Sequence, residues 1–144
     1  MFFDFTLQPE ARTNRRSSET PFNIKTDKME QFNRIEIRGL VGNIRHVSAM
    51  NKSGANFTIA TNYAYKDKDG TPVIDTTWFS VVAWEGKSIS GLSKIESGTP
   101  LEVTGRIRAR SYVASDGEEK RINEVVANKI VILDADTQLV PSMN

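Results

Sequence analysis

Two Asp-Gly pairs, Asp69-Gly70 and Asp116-Gly117, each fall between long stretches in which apolar and polar residues alternate. Such a pair is a strong short-range signal for a β-hairpin, because glycine takes a left-handed backbone at no steric cost. The chain is therefore committed to two antiparallel ribbons. The strand returning from Gly70 reads WFSVVAW over 78–84 and holds both tryptophans. Side chains alternate along a strand, so Trp78, Ser80, Val82 and Trp84 share one face and Phe79, Val81 and Ala83 the other. A helix would set the two indoles on poorly matched faces, and the β-branched and aromatic content also favours a strand. Both faces are apolar. One can be core; the other must be covered by something else.

The same alternation recurs along the chain. In NRIEIRGLVGNI, Ile35, Ile37, Gly39 and Val41 alternate with Arg34, Glu36 and Arg38, the pattern of a half-buried strand. The two glycines of GLVGN read as strand curvature in a barrel. NKSG at 51–54 breaks the chain, and ANFTIATNYAY then places Phe57 and Ile59 on one face before KDKDG. After Gly86, Ile89, Leu92 and Ile95 stand at near-helical spacing, with Gly98 and Pro100 as stop signals, which predicts a short helix. In LEVTGRIRARSY, Leu101, Val103, Gly105, Ile107 and Ala109 are expected inward, with Thr104, Arg106, Arg108, Arg110 and Tyr112 outward. RINEVVANKIVIL returns from Gly117 to about Leu133. Five strands, one helix and two extended hairpins predict an all-β fold: a five-stranded Greek-key barrel of the OB type, with one short helix. Residues 1–31 show no sustained period and read as an N-terminal extension, an arm or partly disordered segment, ahead of the OB domain over 32–133 and a short C-terminal tail over 134–144.

Several function classes fall away. At 144 residues, 38% apolar and 26% charged, the chain can bury one core unaided. It has no cysteine, which excludes disulfides, thiolate metal sites and thiol nucleophiles. Its single histidine, His46, has no placed acid partner, and neither a phosphate-cradling glycine motif nor a hydrolase triad occurs. No enzyme activity, metal or cofactor is expected. No apolar run approaches the roughly 18 residues of a membrane span, and MFFDFTLQ lacks a basic leader, so no membrane association is expected and the cytoplasm is the expected location. A net charge of +1 leaves any claim about a polyanionic partner to the placement of charges.

That placement is informative. Tyr63 and Tyr65 lie beside one hairpin, Trp78 and Trp84 on its return, and Tyr112 at the rim of the other. Singly, each ring could cap the core or bury in a subunit contact. Together they leave the small apolar row Phe79, Val81, Ala83 for the interior and the indoles for another use. Arg106, Arg108 and Arg110 form an outward row ending at Tyr112, with no acid between them along the strand. Rings that stack on bases beside cations that neutralise phosphates suit an unpaired polynucleotide, whose base faces are exposed.

NRIEIRGLVGNI, ANFTIATNYAYKDKDG, TTWFSVVAWEGK and GTPLEVTGRIRARSYVASDGEEKRINEVVANKIVIL, in that order and spacing, resemble the bacterial single-stranded DNA-binding protein family over roughly 33–133. The resemblance implies an OB-fold homotetramer, assembled largely through its first strand, that wraps single-stranded DNA with little sequence preference. It further implies a nucleoid-associated protein that protects the strand during DNA replication, recombination and repair. The four stacking positions of that family correspond to Tyr65, Trp78, Trp84 and Tyr112, and the expected phosphate contacts are Arg106, Arg108 and Arg110 with Lys66, Lys68 and Lys87 as looser ones. Three departures stand out. The acidic tip through which the family recruits replication and repair proteins has no match in DADTQLVPSMN, where Asp134 and Asp136 do not make one. Residues 1–31 are extra, and the polar pair that often follows the first tryptophan reads Phe79 and Ser80. A primosome-like OB adaptor, working mainly through protein contacts, is the alternative reading.

Overall fold

The computed structural model describes residues 28–143; most of the N-terminal extension expected over 1–31 lies outside the described residues. Residues 28–32 carry no regular secondary structure. From Asn33 onward the chain is built from five long strands: β1 (Ile35–Ala49), β2 (Lys52–Lys66), β3 (Pro72–Trp84), β4 (Pro100–Val113) and β5 (Glu119–Ile132). A two-residue strand, β6 (Ser142–Met143), follows in the tail.

The turns are set by residues at positive φ. Met50 and Asn51, with φ of 51° and 65°, make the tight β1–β2 turn, since Ala49 pairs directly with Lys52. The two Asp-Gly turns share one longer design. Gly70 (φ 81°) and Gly117 (φ 84°) take the left-handed position, and their N–H groups donate to the carbonyls of Asp67 and Ala114, both at 2.9 Å. This is a type I turn followed by a left-handed residue, the usual three-residue hairpin loop.

Antiparallel pairing runs β1 to β4, β4 to β5 and β2 to β3, while β3 and β5 pair in parallel through Val81–Val125 and Val82–Val126. Pairing of β1 with β2 closes the barrel. Closure requires backbones to approach closely where strands change partner. A Cβ on Gly39 would stand 2.1 Å from the Ala60 carbonyl oxygen, and one on Gly105 would stand 2.2 Å from that of Val126. Gly105 also marks the bulge where the β4–β5 register slips by a residue, a device that bends a strand around a barrel. The curvature expected of Gly39 thus has a specific cause.

Ile37, Val41, Phe57, Ile59, Val81, Ala83, Leu101, Val103, Val125 and Ile130 fill the interior. Each is the inward member of its alternating pair, the arrangement that buries apolar surface without stranding backbone groups. Ile89, Leu92 and Ile95 are buried too and join the same core. Leu92 reaches it from a single 3-10 turn, Leu92–Lys94, entered through Gly91 at φ 75°; Ile95 follows in extended geometry and Ile89 precedes the turn in irregular chain. The short helix is therefore one tight turn, too short to carry the three apolar residues on one helical face. The Glu85 side chain holds it by accepting from the Gly91 and Leu92 N–H groups.

One expectation is corrected here. Ile107 and Ala109 are exposed, because β1 pairs with β4 only as far as Gly105 and the strand runs on beside β5 alone. The tail adds a short strand, in which Ser142 and Met143 pair in parallel with Tyr63 and Ala64 of β2.

Candidate nucleic-acid interface

Strand alternation places Trp78 and Trp84 on the outer face of β3, 59% and 38% exposed, while Val81 and Ala83 are buried beneath them. Each indole lies against a glycine of another strand. A Cβ on Gly42 of β1 would stand 2.6 Å from Cζ3 of Trp78, and a Cβ on Gly54 of β2 would stand 2.6 Å from Cε3 of Trp84. The missing side chains let both rings rest on backbone and remain open on the other side. Gly42 was legible as a glycine but not as the seat of a ring.

The second hairpin brings the cations. Arg106, Arg108, Arg110 and Tyr112 are exposed on one face of β4, and the Arg110 guanidinium carbon sits 5.9 Å from the centre of the Tyr112 ring. Arg108 and Arg110 share a groove with Trp84, together with Asn43, Arg45 and Asn56. Arg45, exposed on β1, is a cation that the sequence reading did not single out, as is Lys120, paired across from Tyr112.

Glu124 of β5 is the acid that the linear reading missed. It pairs with Arg108 across the ladder, and its side chain is 3% exposed. Oε2 accepts from Arg108, whose Nε lies at 3.1 Å and whose Nη2 also donates, while Oε1 accepts from Arg110 Nε at 3.2 Å. Burial alone pushes the Glu124 carboxyl up, but the hydrogen bonds and charges of the two arginines outweigh it and hold it below the ordinary 4.5. Arg106 has no ion-pair partner among the described residues.

The remaining candidates are more dispersed. Pairing of β2 with β3 is unbroken from Gly54–Trp84 to Lys66–Pro72, so Tyr63 and Tyr65 share the parity of Phe57 and Ile59 and lie on the opposite face of the ladder from the tryptophans. They stack on each other with centroids 6.0 Å apart. Lys66 ends β2, Lys68 occupies its turn and Lys87 follows β3, all exposed. Arg34 and Arg38 form exposed pairs with Glu36 and Glu102. Among the described residues no cluster of histidines and carboxylates could hold a metal ion, and no helix is long and apolar enough to cross a membrane.

A closed barrel of five strands with the order β1-β4-β5-β3-β2 is an OB fold. The sequence profile of the Single-strand binding protein family matches residues 32–133, and the chain belongs to that family. Among its relatives, the single-stranded DNA-binding protein of Streptococcus mutans is 32% identical over 85 residues, covering 59% of this chain and 51% of that protein. Single-stranded DNA-binding protein 1 of Chlorobaculum tepidum is 32% identical over 108 residues, covering 72% and 66%. The chain thus spans between half and two thirds of these relatives' length. The fold is shared with a Plasmodium falciparum SSB solved in complex with ssDNA (TM-score 0.63, 24% identity, 74% of this chain and 99% of that one). It is shared also with a small single-stranded DNA-binding protein of Streptomyces coelicolor (TM-score 0.57, 22% identity, 72% and 96%).

Proposed function

We propose that this chain binds single-stranded DNA with little sequence preference and protects it during replication, recombination and repair. Bases stack on Trp78, Trp84, Tyr65 and Tyr112, while Arg106, Arg108 and Arg110 meet phosphates, with Lys66, Lys68 and Lys87 as outlying contacts. The observation that carries the reading is the pair of open indoles seated on Gly42 and Gly54, the second beside the arginines of the other hairpin. An exposed tryptophan has no use in a monomeric core, and a flat apolar ring beside guanidinium groups suits a base with its phosphate. The role is binding and protection without chemistry, in the cytoplasm with the nucleoid. Assembly as a homotetramer belongs to the same reading: among the described residues, the Ile35–Gly39 part of β1 pairs with β4 alone, leaving its other edge for a second copy.

Titration with poly(dT) tests it. Strong quenching of tryptophan fluorescence, reversed by salt, is the expected result; an unaltered spectrum would favour the adaptor that works through protein contacts. Oligonucleotides of graded length, followed by mass measurement of the complex, give site size and subunit number together.

A further inference from the structure

Glu124 presents a carboxylate where a phosphate-binding face should exclude one. It is nearly buried, it is shared by two of the three arginines of the row, and it lines the same groove as Trp84. Resting on the single-strand reading above, we propose that Glu124 is a positioning residue that fixes the bearing of Arg108 and Arg110 and acts as a counterweight setting how strongly salt controls binding.

The geometry gives the carboxylate both tasks. One oxygen takes Arg108 and the other takes Arg110, so the two side chains are held side by side over the groove instead of sweeping through their rotamers. Long cationic side chains lose conformational freedom when a ligand orders them, and prior fixing removes part of that cost. The same contact subtracts charge: three arginines and one carboxylate leave the row with a net charge of two. Counterion release scales with the phosphates neutralised, so a paired arginine displaces less salt than a free one. Arg106 stands outside the pairing and keeps its full charge. The carboxyl is also held ionised well into mild acid, so the counterweight is constant across the neutral range.

Salt titrations of (dT) oligonucleotide binding separate these effects. E124Q should steepen the slope of log affinity against log salt by about 0.7 for each phosphate contact released, with tighter binding at low salt and convergence at high salt. Arg108→Ala should flatten the slope, and the double variant Arg108→Ala/Glu124→Gln, whose row again carries a net charge of two, should return it to the wild-type value. Glu124→Asp, which keeps the charge but shortens the reach, should keep the slope and weaken binding several-fold at every salt concentration; this variant carries the test should E124Q melt below the assay temperature. A wild-type slope in E124Q, a double variant that stays as flat as Arg108→Ala, or an altered slope in Glu124→Asp would overturn the proposal. A wild-type protein that binds no strand would remove the function proposed above along with it. In a protein that does bind, a slope indifferent to Glu124 removes this inference alone.

Discussion

The ring of Trp78 occupies the space above Gly42 that any larger residue would fill, since a Cβ there would come within 2.6 Å of the indole and 2.7 Å of the Thr58 hydroxyl. Gly42 carries no positive φ, so the space above it, not its backbone conformation, is what a substitution would disturb. Gly42→Ala is therefore expected to tilt the indole without unfolding the barrel. The emission spectrum of the free protein should change, and affinity for poly(dT) should fall by up to about tenfold, a fraction of the roughly 1–3 kcal/mol that one stacked base contributes. A variant with unaltered emission and affinity would show that the glycine does not seat the ring.

Gly39 and Gly105 face backbone carbonyl oxygens, which cannot rotate aside as a side chain can. Gly39→Ala and Gly105→Ala should each destabilise the fold by about 1–3 kcal/mol or more through overpacking at the strand crossings. Thermal melts of both variants, set beside Gly42→Ala, test whether the cost tracks the kind of neighbour.

Rings and arginines should fail in different ways. Trp84→Ala should cost about one to two orders of magnitude in affinity, on the roughly 1–3 kcal/mol per base of stacking, with little change in salt slope. Arg106→Ala should lower the slope by about 0.7, because among the described residues Arg106 shares no carboxylate and meets its phosphate at full charge. Salt titrations giving the reverse pattern would reject this division of labour.

Glu124 also predicts an acid response. Its folded-state carboxyl titrates below its ordinary 4.5, so the folded chain favours the ionised form. The stability this adds is complete above about pH 5 and drains away as pH falls through the folded value, where the unfolded chain binds the proton more readily. E124Q should melt below the wild type at neutral pH, and the two melting temperatures should converge as the pH falls below the folded-state value, itself under the ordinary 4.5. A gap that stays constant down to acid pH would mean that the ionised carboxylate adds nothing.

Much of this was legible before the structure. The alternation in β3 sorted Trp78 and Trp84 from Val81 and Ala83, and the Asp-Gly pairs located both ribbons. What escaped is what depends on register between distant segments. Glu124 lies sixteen positions from Arg108 along the chain, and only the β4–β5 pairing sets them opposite each other. Ile107 kept the correct parity, but parity does not say where the barrel stops, and the residue stands in solvent past that point. Ile89, Leu92 and Ile95 stand at near-helical spacing and are buried, yet only Leu92 lies in the three-residue 3-10 turn, because burial against the core rather than helical periodicity sets their spacing. The face occupied by Tyr65 was open to the same alternation that sorted the tryptophans, counted from Phe57 and Ile59.

The two-residue strand of the tail has a consequence for how the sheet ends. Ser142 and Met143 lie along β2 at Tyr63 and Ala64, where an unpaired margin would offer its amides to any passing chain. Pro141 directly precedes them and has no N–H to donate, so the ladder cannot lengthen toward its start. A stub of this kind plugs the margin without itself templating further growth, which favours a protein that stays dispersed at high concentration over one that strings into fibres.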